Sequence, residues 1–287
     1  MSMSASEKPR LVSTSRNDRR WAFALCGLAC LGIASSAQAS IDYVTYTGTA
    51  RASHGEQPLY REHHVVQYQD GKLTERVVLY QCVTGQSFAR KEVHYSDLLA
   101  PDFRLEDHSN GVVEGLSDAG GNRRVFFRDS FTGPQLHANV PSTRGLVADA
   151  GFDEFVRGHW QSLMSEQPQP IRFLIPSRLK DMSFTVRHQG EAVVEGAPAE
   201  LFRLSLTGPL GWFLSGIDVY YSKEQHLLLR YDGLSNLRDA QGRYFKTNIT
   251  FPLNRHVPAT ETDMQMARST PLAACPKGVS HTSGPAT

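Results

Sequence analysis

The sequence predicts a mainly β protein of the α+β class, a curved antiparallel half-barrel of about 11–13 strands wrapped over one central helix. Apolar and polar residues alternate in many segments, so that Phe202 and Leu204 face one way while Arg203 faces the other. Tight-turn pairs separate these segments, and one amphipathic segment, 149–167, lies between two groups of them. Because such turns join antiparallel neighbours, we expect a meander that one helix covers.

Residues 1–39 are predicted to be a signal peptide. Arg19-Arg20 precede the run WAFALCGLACLGIA, about fourteen residues long and shorter than the roughly 20 that a membrane helix needs. Ala37-Gln38-Ala39 then provides a cleavage signal, so the mature chain should begin near Ser40, in the periplasm. An uncleaved anchor is the alternative. The Arg pair leaves Sec and twin-arginine export both open, and we favour Sec.

The size and charge of the chain limit its class. The chain has 287 residues, which is enough for one large domain or two small ones, and its formal charge is +1. A near-neutral chain without a long basic run is not expected to bind nucleic acid.

The first group of strands is predicted between the signal peptide and the helix. Asp70-Gly71 and Asn110-Gly111 are hairpin signals, and Gly120-Gly121 marks another turn. The predicted strands are 41–52, 59–69, 73–83, 87–95, 103–109, 112–117 and 123–129. We expect 131–148 to be a loop that leads into the helix.

The central helix is predicted over Asp149 to Gln167. Asp149 is the expected N-cap, and Pro168 should stop the helix. One apolar stripe recurs at helical spacing: Phe152, Phe155, Val156, Trp160, Leu163 and Met164.

The second group of strands follows the helix, and one domain is predicted to contain both groups. Its strands are expected at 171–175, 182–188, 199–206, 217–222, 227–231 and 243–251. Neither group has a covering element of its own, so 40–253 should form a single half-barrel domain. Residues 254–287 carry no periodic apolar face and are expected to be a largely disordered tail.

Two cysteines remain after cleavage, Cys82 and Cys275. An oxidising compartment permits a bridge between them, which would pin the tail to a strand. Two unpaired thiols are the alternative.

Whether the chain is an enzyme stays open, and we favour a protein without enzyme activity, because no nucleophile elbow and no acid–base pair can be named. We expect no cofactor and no metal. The histidines lack metal-ligand spacing and are predicted to be satisfied or exposed; they are His63, His64, His94, His108, His137 and His159.

The predicted ligand-binding residues face the space between helix and sheet. Apolar side chains on a curved sheet could line a cavity for an apolar ligand or fill a core, and both remain open. The aromatic candidates are Phe152, Phe155, Trp160, Tyr68, Tyr80 and Phe127. Trp212, Phe213 and Leu214 could gate the cavity, touch a membrane transiently, or plug one end of the core. Charged pairs in strands, such as Arg61-Glu62 and Glu75-Arg76, are interpreted as a solvated face.

The order of these elements resembles the LolA/LolB-type fold. The stretches that carry the resemblance are Ile217 to Tyr221, Leu227 to Gly233 and Lys246 to Pro252. Gly233 to Gly242, GLSNLRDAQG, is also similar to a stretch in a group of periplasmic proteins akin to the outer-membrane lipoprotein-sorting proteins. The resemblance implies a half-barrel fold and a preference for apolar ligands. It does not extend to lipoprotein transport.

Together these observations predict an exported periplasmic protein that binds a lipid or another apolar molecule non-covalently. The alternative is an envelope scaffold that binds a protein partner, of unknown identity, through a strand edge. A hydrolase is the least favoured possibility.

Overall fold

The computed structural model describes residues 40–53, 55–141, 145–208, 216–239 and 241–276. Within these residues one curved, non-closed sheet of 16 strands dominates, and helices are few. The predicted fold class is therefore confirmed. The first eight strands are β1 Ile41–Ala52, β2 Pro58–Gln69, β3 Lys72–Cys82, β4 Ser87–His94, β5 Asp102–Asp107, β6 Val112–Ala119, β7 Asn122–Arg128 and β8 Leu136–Asn139. The others are β9 Leu146–Val147, β10 Gln169–Ile175, β11 Lys180–Val194, β12 Ala197–Leu206, β13 Ile217–Ser222, β14 Leu228–Arg238, β15 Tyr244–Thr250 and β16 Val257–Ala259.

Local turn chemistry sets the pairing of successive strands. Asp70 and Gly71 both have positive φ, 50° and 73°, as the two-residue turn between β2 and β3 requires. Glu195 and Gly196 make a similar turn between β11 and β12, with φ of 48° and 84°. Every pair in the sheet is antiparallel except β9 with β10.

The two strand groups share one sheet. The strand order is β8-β7-β6-β5-β4-β3-β2-β1-β15-β14-β13-β12-β11-β10-β9, and β16 pairs with β1. The groups join where β1 pairs with β15, from Thr49 opposite Thr250 to Ala52 opposite Thr247. The two ends of this strand order, β8 and β9, are consecutive in the chain, so the sheet curves until its two end strands approach each other.

The central helix is broken into α1 Gly151–Gly158 and α2 Trp160–Met164. Gly158 is a poor helix former, and the ring of His159 bonds to the Phe155 carbonyl at 2.9 Å, which competes with continuation of the helix. The predicted N-cap is also wrong. Ala150 occupies the N-cap position and makes no side-chain cap bond.

The tail prediction differs from the structure over 254–276. There β16 pairs with β1, and α3 Glu261–Ser269 begins with a capping box between Thr260 and Asp263. Met264 and Ala267 are buried against the outer face of β2 and β3. This helix has only a narrow apolar stripe, so sequence periodicity could not indicate it.

Candidate functional site

The inner face of the sheet carries charged residues as well as apolar ones. Glu62 and Arg76 are buried, each 8% exposed, so the prediction that these charged strand pairs form a solvated face is wrong for them. Their neighbours Arg61 and Glu75 lie on the opposite face. The cause is strand alternation, which turns one member of each charged pair inward.

Helix α1 begins beside two ion pairs to the sheet. Arg76 on β3 contacts Asp153 in the first turn of α1, at 3.3 Å between Nη1 and Oδ2. Tyr221 on β13 donates its hydroxyl to the other Asp153 oxygen at 2.8 Å. Burial alone would raise the pKa of Asp153, but Arg76 and Arg157 hold it below its ordinary value. Asp153 is therefore ionised and connects two distant strands to the helix.

Lys91 on β4 makes the second ion pair, with Asp149 just before α1. Its Nζ lies 2.9 Å from the Asp149 carboxylate, and both side chains are nearly buried. Burial would lower the pKa of Lys91, yet Asp149 and Glu62 raise it. Lys91 is therefore a buried cation with one committed partner.

Two inward carboxyls have no cation of their own among the described residues. Glu62 bonds to the ring of His64, at 3.1 Å to Nε2, and the Tyr60 hydroxyl also favours its ionised form. Burial, and to a smaller extent the charge of Arg76, keeps the pKa of His64 well below its ordinary value. Glu114 on β6 is 5% exposed. Burial raises the pKa of each carboxyl to about 7.

Several polar atoms in this interior have no hydrogen-bond partner within the described chain. They include Nδ1 of His64, Nε of Arg76, the hydroxyl of Tyr95 and Nε of Arg238. Buried polar atoms are nearly always partnered, by protein, water or ligand. The interior therefore offers donors and acceptors to a small molecule.

An aromatic wall lies beside this polar layer. The structure brings the predicted residues Phe152, Phe155 and Trp160 together with Phe202 and other side chains of β10 to β13. Trp160 is half-buried and packs edge-on against Phe202 at 5.2 Å between ring centroids. The helix half of the predicted site is thus assembled as one cluster.

The sheet half of the predicted site is more dispersed. Tyr80 is buried in a second cluster beneath β1 to β4, and Phe127 lies under the guanidinium of Arg238 at 5.2 Å. Tyr68 is half-buried near the end of β2. Leu228 and Tyr231 pack against both clusters and so connect them. Trp212, Phe213 and Leu214 lie outside the described residues.

Buried side chains occupy much of the space between helix and sheet. Phe202 and Tyr221, which pack against the helix pair, are among the largest fully buried residues. Two surface depressions, one near Val193 and one on the outer face of β4 to β7, contain none of the predicted ligand residues. A ligand that enters the interior must therefore displace the helix pair or side chains beneath it.

The disulfide prediction is confirmed: Cys82 at the end of β3 is bonded to Cys275, with 5.8 Å between their Cα atoms. Around it, the Gln86 amide donates to the carbonyls of Ala273 and Ala274 at 2.9 and 2.8 Å. The bridge therefore fastens the segment that carries α3.

The histidines do not converge, and in the described ranges no three His, Cys, Asp or Glu side chains are grouped to hold a metal ion. No described helix has both the length and the hydropathy to cross a bilayer.

Sequence reasoning missed Glu62, Arg76, Lys91, Glu114 and Asp153 as inward or helix-anchoring groups. A signal existed for two of them. Tyr68 and Tyr80 were expected to face inward, and period-two alternation then places Glu62 and Arg76 on the same face.

Comparison with known proteins gives structural similarity only. No protein-family model and no curated protein matches the sequence at a significant level. A β-barrel-like protein of a domain of unknown function, DUF1849, from Brucella abortus aligns over 77% of this chain and 98% of its own, with 9% identity and a TM-score of 0.44. MucB aligns over 78% of this chain and 57% of its own, at 13% identity and a TM-score of 0.27. A DUF1329 family protein from Desulfovibrio piger aligns over 74% of this chain and 84% of its own, with 12% identity and a TM-score of 0.27.

Proposed function

We propose that the half-barrel binds a lipid or another largely apolar small molecule, non-covalently, between the helix pair and the inner face of the sheet. One observation carries the proposal: the unpartnered polar atoms of Arg76 and Tyr95 lie beside the aromatic wall, which Arg76 reaches through Asp153. Such a surface suits an amphipathic molecule, whose chain meets the aromatic rings and whose polar end meets the charged layer.

Entry of the ligand requires α1 to leave its place. The polar contacts that hold its start to the sheet come from two residues, Asp149 and Asp153. A polar ligand group that replaces one member of a buried ion pair leaves the other member partnered, so these contacts can be exchanged for contacts to the ligand. The helix pair is therefore the movable wall.

The test is binding of a fluorescent fatty-acid probe to delipidated protein, together with native mass spectrometry of protein purified without delipidation. We expect a bound small molecule in the second measurement and saturable uptake in the first. Trp160→Ala should weaken probe binding about tenfold, since an aromatic side chain contributes a few kcal/mol when it covers a ligand. The matched control is Phe131→Ala, because Phe131 is 62% exposed in a loop. A protein that is empty and takes up no probe contradicts the proposal.

We further propose that the protein works in the periplasm after loss of residues 1–39. The Cys82–Cys275 bond supports this, because such bonds persist in oxidising compartments. N-terminal sequencing of protein from a periplasmic extract should begin near Ser40. Protein found only in the cytoplasm, with both thiols open to alkylation, would refute the proposal.

A partner-binding scaffold is the second candidate, favoured by strand β8. In the described sheet β8 is a terminal strand with β7 as its neighbour, and Leu136 at its start is 50% exposed. A partner strand could add to that edge. Crosslinking in cells from a photoreactive residue at position 137 should trap one defined protein if this function holds.

A further inference from the structure

Glu114 is buried without a partner. It faces the interior from β6, and its cross-strand neighbours are the apolar residues Leu105 and Phe127. No hydrogen bond from the described chain contributes to its environment. Burying a carboxyl in this way is costly, so its presence calls for a physical explanation.

Two of the three cations that act on these carboxyls from β3 and β4 or from β14, Arg76 and Lys91, are already paired with carboxylates, and the third, Arg238, has a neutral partner. Lys91 is bonded to Asp149 at 2.9 Å, and Arg76 to Asp153 at 3.3 Å. Arg238 donates to the Tyr244 hydroxyl at 2.9 Å and lies over the Tyr244 ring. The interior therefore has more carboxyls than cations that can neutralise them.

Glu62 adds to this excess from β2. One of its partners is the ring of His64, which is 7% exposed and lies near Arg76 and Lys91. Lys91 and Asp149 influence the pKa of both Glu62 and Glu114, although the two carboxyls lie on β2 and β6, four steps apart in the strand order.

We infer that the ligand of the half-barrel carries a protonated amine or another organic cation, which docks against Glu114. This inference rests on the proposed function and names its ligand class. The cation supplies the missing charge, and the alkyl part of the ligand lies against the aromatic wall of α1 and α2. Charge-assisted hydrogen bonds in a buried site are strong enough to select one head group over another.

The charged groups around Glu114 come from three elements: Lys91 on β4, Asp149 before α1 and Arg238 on β14. Those around Glu62 are Lys91, Asp149 and Arg76 on β3, with His64 on its own strand. Burial raises the pKa of Glu114 to about 7, so a bound cation should drive off its proton near neutral pH. Binding should therefore tighten as pH rises from 6 to 8.

The experiment compares dodecylamine, dodecanol and dodecanoate by isothermal titration calorimetry on the mature protein at pH 6, 7 and 8. Dodecylamine should bind at least about tenfold more tightly than dodecanol at pH 8, the effect of one charge-assisted hydrogen bond. Repeating the titration at pH 7 in buffers of different ionisation enthalpy should show proton release with the amine.

Glu114→Gln should remove this preference while dodecanol binding stays within about twofold. The matched control is Glu92→Gln, since the Glu92 side chain is 37% exposed on the outer face of β4 and pairs with Arg90.

The outcomes separate the two proposals. If dodecanol or dodecanoate binds as tightly as the amine, or Glu114→Gln leaves the preference unchanged, the inference is overturned while the proposed function stands. If none of the three probes binds, the proposed function fails and the inference fails with it.

Discussion

Asp149 departs from the usual chemistry of a helix start. A residue of its type normally caps a helix, but its side chain instead bonds to Lys91, and its backbone has a positive φ of 44°. A non-glycine residue in that region costs on the order of 1 kcal/mol, and the missing cap costs about as much again. Asp149 therefore lowers the stability of the fold in order to form one buried ion pair, and such a loss is typical of a functional position.

The charged interior was only partly predictable from sequence, for a reason specific to strands. Alternation tells which residues share a face, so Tyr80 and Arg76 could be grouped. It does not tell whether a charged residue on the inner face finds a partner, because Asp149 and Asp153 come from a distant segment. That pairing depends on how the helix docks, which no local pattern encodes.

Glu114 should make stability depend on pH. Its pKa is raised from an ordinary 4.5 to about 7 by burial, so its protonated form favours the folded state. The stabilising contribution is complete below about pH 4.5 and is lost as pH rises through about 7. Relative to wild type, Glu114→Gln should therefore become more stable as pH rises from 5 to 8, by up to roughly 3 kcal/mol. Urea unfolding at several pH values measures the difference.

Glu92→Gln is again the control, and its stability relative to wild type should not change over that pH range. A Glu114→Gln variant whose relative stability is flat between pH 5 and 8 would show that this carboxyl is hydrated in solution.

At the scale of elements, α3 is held by three kinds of contact. Met264 and Ala267 pack on the outer face of β2 and β3, and Arg268 pairs with Glu75. The disulfide then fixes the chain beyond the helix. A nine-residue helix is marginal alone, so tertiary contacts must supply most of its stability.

Removing the disulfide should therefore loosen α3 before the sheet. The bond closes a loop with a sequence separation of 193 residues, so the double variant Cys82→Ser, Cys275→Ser should lose about 4 kcal/mol of unfolding free energy. Hydrogen exchange should show lost protection in α3 and β16 first. Wild-type protein in reductant should match the variant, and equal stability of oxidised and reduced wild type would mean that the bond does not form.

The thirteen predicted strands are all present, because long alternating segments and turn pairs are local signals. The strands that were missed, β8, β9 and β16, have two to four residues and no room for a repeating pattern. They form by pairing with neighbours that the sequence does not identify. The helix break at His159 likewise depends on a side-chain bond to the backbone.

For the whole molecule, the joint between β1 and β15 decides whether the strands act as one unit. Gly48 lies at this joint with the ring of Phe251 over it, and a Cβ there would come 2.3 Å from Cε1 of that ring. Gly48→Val should therefore push the ring away and cost about 1–3 kcal/mol, the usual range for overpacking. Phe251→Leu in the same chain should recover part of the loss.

Both halves of the sheet share this joint. The urea unfolding transitions measured by far-UV circular dichroism and by tryptophan fluorescence should therefore shift together and stay coincident. Trp160 lies in the second half, so a fluorescence transition that separates from the circular dichroism transition would mean that the halves unfold as independent modules.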